Sequence, residues 1–230
     1  SVSGSDGSGY MLAESFHPRI VPVYPALTAL KCKGSSFKAW AGVRTEGEIS
    51  LFTDGKFCKS EYGELQLAEY GISGIPVFQL STYAVRAVRE GHKAELRINF
   101  MPELSEEELK KLLYARKKAC PYKKEKELLV GLFPEKLIKI LISQKQLVSA
   151  IRGFPLEVQD GMSFSQAQVC SGGVDTSQVN SQTMESKLCK GLYFAGELLD
   201  IDGTCGGYNL QWAWSSGAVA GRNAAKEEKK

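Results

Sequence analysis

The residues from Gly191 to Glu197 place a carboxylate directly after an apolar run. The run Gly191-Leu192-Tyr193-Phe194-Ala195 is typical of a strand buried on both faces, as in a parallel sheet. Ligands of open α/β sheets bind beyond the carboxyl ends of such strands. Gly196 would let a ligand approach the backbone, and Glu197 would accept hydrogen bonds from sugar hydroxyls but repel a phosphate. The pattern therefore favours a ribose or polyol contact at Glu197.

A second group of special residues, Gly206-Gly207-Tyr208-Asn209, leads into a segment of helical composition that runs to Gly221. The two glycines are expected at the N-terminus of this helix, where free N–H groups and the dipole favour an anion or a developing negative charge. A reduced flavin gathers such charge at its N1/O2 edge. The alternative is a strand–turn–helix unit whose glycines only close a turn. Trp212 and Trp214 are interpreted as packing residues of the helix.

The composition is that of an ordinary folded protein. The 230 residues suffice for one large or two small domains, 43% of them are hydrophobic, and the net charge is only +3. No apolar run approaches the roughly 20 residues of a membrane-spanning helix, and the N-terminus lacks a signal-peptide pattern. Six cysteines without a C-x-x-C pair and two histidines disfavour a zinc site. Reduced thiols in a cytoplasmic protein without a membrane partner are expected.

Four successive blocks of the chain differ in pattern. Residues 1–25 hold a glycine–serine turn, a short helix and three prolines. Residues 26–101 alternate as strands do, with Asp54-Gly55 as a hairpin turn and one helix over residues 79–90. Residues 102–150 read as helical, and Ser105 with Glu108 makes a capping-box pattern. Residues 151–230 lose charge and gain glycine. The second block predicts a small antiparallel sheet or barrel.

The helical block carries two basic runs, Arg116-Lys117-Lys118 and Lys123-Lys124-Glu125-Lys126-Glu127. A solvated helix face and loop is the favoured interpretation. The alternative is a patch for an anion or a nucleic acid, although Tyr114 and Tyr122 alone supply the interleaved aromatic side chains that such patches use. A nucleic-acid partner is therefore not favoured.

Four stretches resemble one family of bacterial proteins. GLYFAGELLDIDGTCGGYNLQWAWSSGAVAG, residues 191–221, looks very like the C-terminal signature of the BaiN-like NAD(P)/FAD-dependent oxidoreductases, also called NAD(FAD)-utilising dehydrogenases or aminoacetone oxidase-like proteins. Residues 167–187 resemble the family's segment before that signature, and residues 70–81 a motif of an inserted domain. Residues 4–16 resemble the exit from the first FAD-binding segment. The resemblance covers nearly the whole chain in the family's order.

This resemblance implies an α+β or α/β fold, with a β-barrel-like domain and a helical segment inserted in a Rossmann-like FAD-binding domain. Residues 1–25 and 151–230 would belong to the FAD domain, 26–101 to the barrel-like insert, and 102–150 to the helical insert.

The resemblance also implies a chemistry, in which FAD is the cofactor, NAD(P)H its reductant, and a small unsaturated organic molecule the substrate. No catalytic residue and no metal ligand is assigned. The implied cofactor contacts are Gly172, Gly173 and Val174 beside the ring, Gly196 and Glu197 at the ribityl-pyrophosphate region, Gly206, Gly207, Tyr208 and Asn209 at the N1/O2 edge, and Asp202 and Leu210 as further contacts.

One motif of the family is missing from the sequence. The G-x-G-x-x-G turn that holds the FAD pyrophosphate does not occur, because Gly4, Gly7 and Gly9 have another spacing and follow no strand. We therefore expect a fragment or shortened form that binds FAD weakly or not at all and is inactive alone. Its uncovered apolar surface would favour self-association through the incomplete FAD domain. The alternative function is a binding module for a macromolecule, RNA or protein, on a flavoprotein scaffold.

Overall fold

The computed structural model describes residues 4–34 and 36–227, which form two compact units. Unit 1 combines Ser1–Thr28 with Met162–Lys230, and unit 2 is Ala29–Gly161. The helices and strands of the described residues are, in chain order, α1 (Ser8–Glu14), β1 (Ile20–Ala26), β2 (Leu30–Cys32), β3 (Val43–Thr53), β4 (Lys56–Ala68), β5 (Gly71–Ser73), α2 (Ile75–Arg89), β6 (Ala94–Asn99), α3 (Glu106–Ala119), α4 (Glu125–Leu128), α5 (Glu135–Ile142), α6 (Leu147–Arg152), β7 (Phe154–Gly161), β8 (Val169–Val174) and α7 (Tyr208–Glu227).

A closed barrel of six strands, in the order β2-β5-β4-β3-β6-β7, forms the centre of unit 2. Alternate side chains of each strand point inward, and Leu51, Leu65, Leu96 and Ile98 are fully buried. Helix α2 packs on the barrel and buries Leu80 among other residues. The barrel-like domain predicted from the alternating pattern is confirmed.

The hairpin between β3 and β4 turns at Asp54 and Gly55, as predicted. Both residues have positive φ, 49° and 78°, which matches a type I′ turn and the twist of the flanking strands. Thr53 lies opposite Lys56, so two residues suffice to reverse the chain. This turn fixes the register of the longest strand pair in the barrel.

Strand β7 belongs to the barrel, although the sequence places residues 151–161 with the C-terminal part of the FAD domain. It runs antiparallel to β6, with Leu156 opposite Leu96. Phe154, Leu156 and Val158 are buried at alternate positions, the period of a strand with one buried face. This boundary is corrected, whereas the assignment of the other ranges to FAD-binding and insert domains stays a prediction.

Helices α3 to α6 occupy the block that the sequence predicts as helical. Helix α3 begins at a complete capping box, in which the Ser105 hydroxyl accepts from the Glu108 N–H and the Glu108 carboxylate accepts from the Ser105 N–H. Helix α5 buries an apolar stripe that includes Leu137, Ile138 and Leu141. These helices form a second layer of unit 2 beside the barrel strands.

Unit 1 contains a two-stranded antiparallel sheet of β1 and β8. The pairing is irregular between Val21 and Tyr24, where Pro22 cannot donate a ladder hydrogen bond. The small apolar core of this unit consists of Ala13, Val174, Val179, Met184, Phe194, Leu199 and Ala220. It therefore joins α1, the end of β8, the loop after β8 and α7.

The buried strand predicted at residues 191–195 is not formed. Only Phe194 of this run is buried, while its neighbours are half-buried or exposed. The backbone runs beside residues 184–186, since the Ser186 N–H donates to Leu192 O (2.7 Å) and the Phe194 N–H donates to Met184 O (3.0 Å). The sequence prediction was wrong because a continuous apolar run does not distinguish a strand in a sheet from an extended segment anchored by one large side chain.

Helix α7 spans 20 residues and follows directly after Gly206 and Gly207, as predicted. Trp212 packs against the core of unit 1, but Trp214 is 69% exposed, so its interpretation as a packing residue is corrected. Leu210 is 63% exposed one turn before Trp214. Among the residues that the structure describes, neither α7 nor another helix combines the length and apolar character needed to cross a membrane.

Candidate functional site

The predicted site residues all lie in unit 1, and Gly196 is held against the middle of α7. Its N–H donates to the Ser216 Oγ (2.9 Å), and its carbonyl accepts from the Trp212 Nε1 (3.1 Å). Gly196 has a φ of 66°, in the left-handed region that favours glycine. The glycine therefore serves a tight turn that is fastened to the helix.

The Glu197 carboxylate points back to β8, where one of its oxygens accepts a hydrogen bond from the Cys170 N–H. The Glu197 carbonyl accepts from the Tyr10 hydroxyl (3.1 Å). The Glu197 residue is exposed, so the carboxylate can still reach solvent and a ligand. Part of the hydrogen-bonding capacity that the sequence assigns to a sugar hydroxyl is thus used by the protein itself.

Tyr10 and Cys170 keep their protons at neutral pH. Burial raises the pKa of Tyr10 to about 12, and the negative charges of Cys170, Glu197 and Asp200 add to the shift. Burial raises the pKa of the Cys170 thiol to about 11, with the Glu197 carboxylate as the next cause. Because the tyrosine hydroxyl stays protonated, it acts as a donor that fixes the Glu197 turn, and the thiol is no activated nucleophile.

The glycines of β8 are explained by packing. A side chain at Gly172 would lie 2.2 Å from Pro22 O, and one at Gly173 would lie 2.5 Å from Leu198 O. Both glycines and Val174 are buried, and the Gly172 N–H donates to an Asp200 carboxylate oxygen (3.1 Å). Their contact with a flavin ring stays a prediction.

The loop before α7 is closed by Asn209. Its side-chain oxygen accepts from the Gly203 N–H (2.8 Å), and its side-chain nitrogen donates to Gly203 O (3.0 Å). Asp202, next to Gly203, is half-buried. The Asn209 amide therefore shapes the loop and is occupied by hydrogen bonds within the protein.

The start of α7 is open. A side chain at Gly207 would meet nothing within 4 Å, and Tyr208 and Leu210 are 64% and 63% exposed. The first hydrogen bond of the helix runs from the Gln211 N–H to Gly207 O (3.0 Å), so the N–H groups of residues 208–210 have no carbonyl one turn before them. This end can stabilise an anion or a partial negative charge.

Sequence reasoning missed the side chains that position this site. Tyr10 lies 187 residues before Glu197 in the chain, and Ser216 lies 20 residues after Gly196. Trp212 was placed in the packing of the helix, but its hydrogen bond to the Gly196 carbonyl was not foreseen. The only signal was the small size of residue 216 within the helix, and this does not reveal a partner.

The sequence profile described as HI0933-like protein Rossmann domain matches residues 1–223 of the chain. The chain is 41% identical over 240 residues to a 3-dehydro-bile acid delta(4,6)-reductase of Clostridium scindens, an alignment that covers 97% of this chain and 59% of that protein.

Two ribosomal RNA dihydrouridine synthases are also similar to the chain. The protein of Haemophilus influenzae is 32% identical over 93% of this chain and 54% of its own length. The protein of Escherichia coli is 30% identical over 93% of this chain and 55% of its own length. The chain thus spans a little over half the length of the curated relatives it matches.

Proposed function

Because this chain belongs to the family of HI0933-like proteins with a Rossmann domain, we propose that it forms part of a flavin-dependent oxidoreductase. The observation that carries the proposal is the open start of α7, where Gly206 and Gly207 have φ values of 120° and 92° and precede N–H groups without intrahelical acceptors. The bile acid reductase that is 41% identical to the chain supports the class of reaction.

The residues at the start of α7 fit the N1/O2 edge of a flavin. The space beside Gly207 leaves room for a flat ring at the backbone, and the exposed Tyr208 and Leu210 offer apolar surface around it. The ribityl hydroxyls would donate hydrogen bonds to the exposed Glu197 carboxylate, which can only accept them. Asp202 would add a second acceptor on the loop before the helix.

The bound FAD would supply hydride transfer, with NAD(P)H as its reductant. The contribution of this chain is electrostatic, since the first N–H groups of α7 stabilise negative charge on the ring edge. A helix N-terminus stabilises a neighbouring negative charge by roughly 0.3–1 kcal/mol, and up to about 2 kcal/mol in a partly buried geometry. The helix would therefore favour the reduced cofactor without a protein acid or base at that edge.

We assign the substrate to the class of unsaturated small organic molecules. The name of the 3-dehydro-bile acid delta(4,6)-reductase favours a carbon–carbon double bond in an apolar acid. The 230 residues alone should bind FAD weakly, because no G-x-G-x-x-G loop is present for the pyrophosphate. The dissociation constant is expected above about 10 µM, and sub-micromolar binding would contradict this part of the proposal.

A substitution at Leu210 separates flavin binding from folding. Leu210→Glu puts a carboxylate in the first turn of α7, where it stabilises the helix but repels the electron-rich flavin edge. The variant should unfold no more easily than the parent chain and should bind FAD several-fold more weakly. Leu210→Gln is the neutral control, because it removes the same apolar surface without adding a charge, and it should bind FAD more tightly than Leu210→Glu. Equal FAD affinity of both variants would remove α7 from the flavin site.

The activity itself is tested with the protein from the native open reading frame that contains these residues. Purified with FAD, it should lose flavin absorbance when NADH or NADPH is added without oxygen. An unsaturated steroid acid should then restore the absorbance and gain two hydrogens, as followed by mass spectrometry. A protein that is not reduced by either nucleotide would contradict the proposed oxidoreductase.

A second candidate function is action on RNA, which two observations favour. Both dihydrouridine synthases carry ribosomal RNA in their names. In α3 and the turn after it, Tyr114 and Tyr122 are 70% and 80% exposed beside Lys117 and Lys118. Arg116 is less available, since its guanidinium donates to Val130 O (2.7 Å). Exposed aromatic and basic side chains together suit single-stranded nucleic acid.

Gel shifts of tRNA at two salt concentrations separate the two functions. About three phosphate contacts would weaken binding roughly twentyfold between 50 and 200 mM salt. Binding with this salt dependence, lost in the Lys117→Gln/Lys118→Gln variant, would favour an RNA substrate. No binding at the lower salt concentration favours the small-molecule reductase.

A further inference from the structure

A cavity of about 590 Å³ lies in the helical layer of unit 2, and none of the residues assigned to the flavin lines it. One face of α3 forms a wall with Lys110, Leu113, Tyr114 and Lys117, which follow each other at helical spacing. Buried Leu129 lies on the opposite side, and residues of α6 close a third side. The volume is that of a site for a small organic molecule.

The wall of this cavity is apolar at depth and charged at the rim. Leu113, Leu128, Leu129, Leu147 and Val148 supply the apolar surface. These five aliphatic side chains offer contact surface to the apolar body of an organic ligand, which a hydrated ion would not use, and the polar side chains around them can fix its orientation.

The rim of the cavity carries a net positive charge. Three lysines and two glutamates line it, which gives a net charge of +1. Lys110 is paired with Glu106 in the same helix, so this pair cancels. Lys117 and Lys123 have no acidic partner within ion-pair distance among the described residues, and Glu125 is the remaining acid.

We propose that this cavity binds an apolar organic molecule carrying one anionic group, with the apolar body against the leucines and the anion at Lys117 and Lys123. The site is additional to the flavin site and does not depend on it. Charge complementarity supports this choice, because the two exposed ammonium groups give the rim a positive potential that attracts an anion and that a neutral ligand would not use. A dianion would gain little more, since Glu125 opposes it.

The probe for this site is 8-anilinonaphthalene-1-sulfonate, an apolar ring system with one sulfonate, and its neutral counterpart is N-phenyl-1-naphthylamine. Fluorescence titration of the full chain should show that Lys117→Gln/Lys123→Gln weakens binding of the sulfonate about fourfold or more, in line with two partly exposed charge contacts. Binding of the neutral amine should change less than twofold. Trp214→Gln, on the exposed face of α7, should leave both affinities unchanged.

A second variant protects the test against a mere loss of folding. Glu125→Gln removes the acid from the rim and should strengthen sulfonate binding about twofold while the affinity for the neutral amine stays unchanged. A damaged fold that exposes apolar surface would strengthen binding of both probes instead. The proposal is overturned if the sulfonate does not bind. It is also overturned if the lysine substitutions leave the affinity unchanged, or if they weaken the neutral amine equally.

Discussion

A buried hydroxyl joins the turn at Gly196 to the last helix. Ser216 is 1% exposed, and its Oγ accepts the Gly196 N–H at 2.9 Å while donating to Trp212 O at 2.6 Å. Ser216→Ala removes the acceptor and leaves the half-buried Gly196 N–H without a partner. The preceding residue, Ser215, is exposed, and its hydroxyl accepts from the Gln211 side chain (2.9 Å).

The expected cost follows from these contacts. A buried N–H left without a partner costs roughly 1–3 kcal/mol, and partial exposure of Gly196 places the value in the lower half. Alanine in place of serine returns about 0.5 kcal/mol of helix propensity at either position. Ser216→Ala should therefore destabilise the attachment of the turn by about 0.5–1.5 kcal/mol. Ser215→Ala should be neutral or slightly stabilising.

Hydrogen exchange of the Gly196 amide measures this attachment directly. Since 1.4 kcal/mol corresponds to a factor of ten, Ser216→Ala should speed exchange of this amide about two- to tenfold. Ser215→Ala should change it less than twofold. Equal exchange rates in the two variants would refute the inference that α7 holds the turn through this hydroxyl.

Three further predictions follow from unit 1. Gly173→Ala should lower the free energy of unfolding in urea titrations by about 2–4 kcal/mol, because φ is 126° and a backbone oxygen would lie 2.5 Å from the new methyl group. Gly217→Ala is the control, since the space beside this residue of α7 is open, and it should raise the free energy of unfolding by about 0.5–1 kcal/mol. The rate at which iodoacetamide alkylates Cys170, followed by peptide mass spectrometry, should rise with pH with a midpoint near the thiol pKa of about 11. Glu197→Gln should move this midpoint to lower pH, because it removes a negative charge that disfavours the thiolate. A midpoint equal to that of an ordinary thiol would contradict this prediction. The exposed face of α7 should support weak self-association, since burying Trp214 and Leu210 in two copies stabilises a dimer by about 8 kcal/mol against an association cost of roughly 4–15 kcal/mol. Light scattering at rising protein concentration should show dimers that are lost in the Trp214→Gln variant. Dimers that persist in this variant would exclude this face as the contact.

The sequence could predict the elements that local chemistry determines. Asp54 and Gly55 specify their turn because few residue pairs accept positive φ twice, and Ser105 with Glu108 specifies the start of α3. The position of Gly206 and Gly207 before α7 was predictable for the same reason. The family profile that matches residues 1–223 also confirms the resemblance inferred from residues 191–221 and three other stretches.

Features that depend on distant partners could not be predicted. The apolar run before Gly196 gave no sign that its backbone would pair with residues 184–186 instead of entering a sheet. The glycines at 172 and 173 suggested a ligand, whereas the reason for them lies in Pro22 and Leu198. The exposure of Trp214 likewise could not be predicted, because helical periodicity does not indicate which face of α7 packs against the rest of unit 1.

The measurement that tests the central claim most directly is a titration of the isotope-labelled chain with FAD, followed by nitrogen–proton correlation spectra. Weak binding is enough for this measurement, because FAD at about 1 mM occupies half of the sites even when the dissociation constant is about 1 mM. The amides of Gly206, Gly207, Tyr208, Asn209 and Leu210 should shift in a saturating manner, since they form the open start of α7. Unshifted amides in this segment, or saturating shifts confined to other parts of the chain, would contradict a flavin site there.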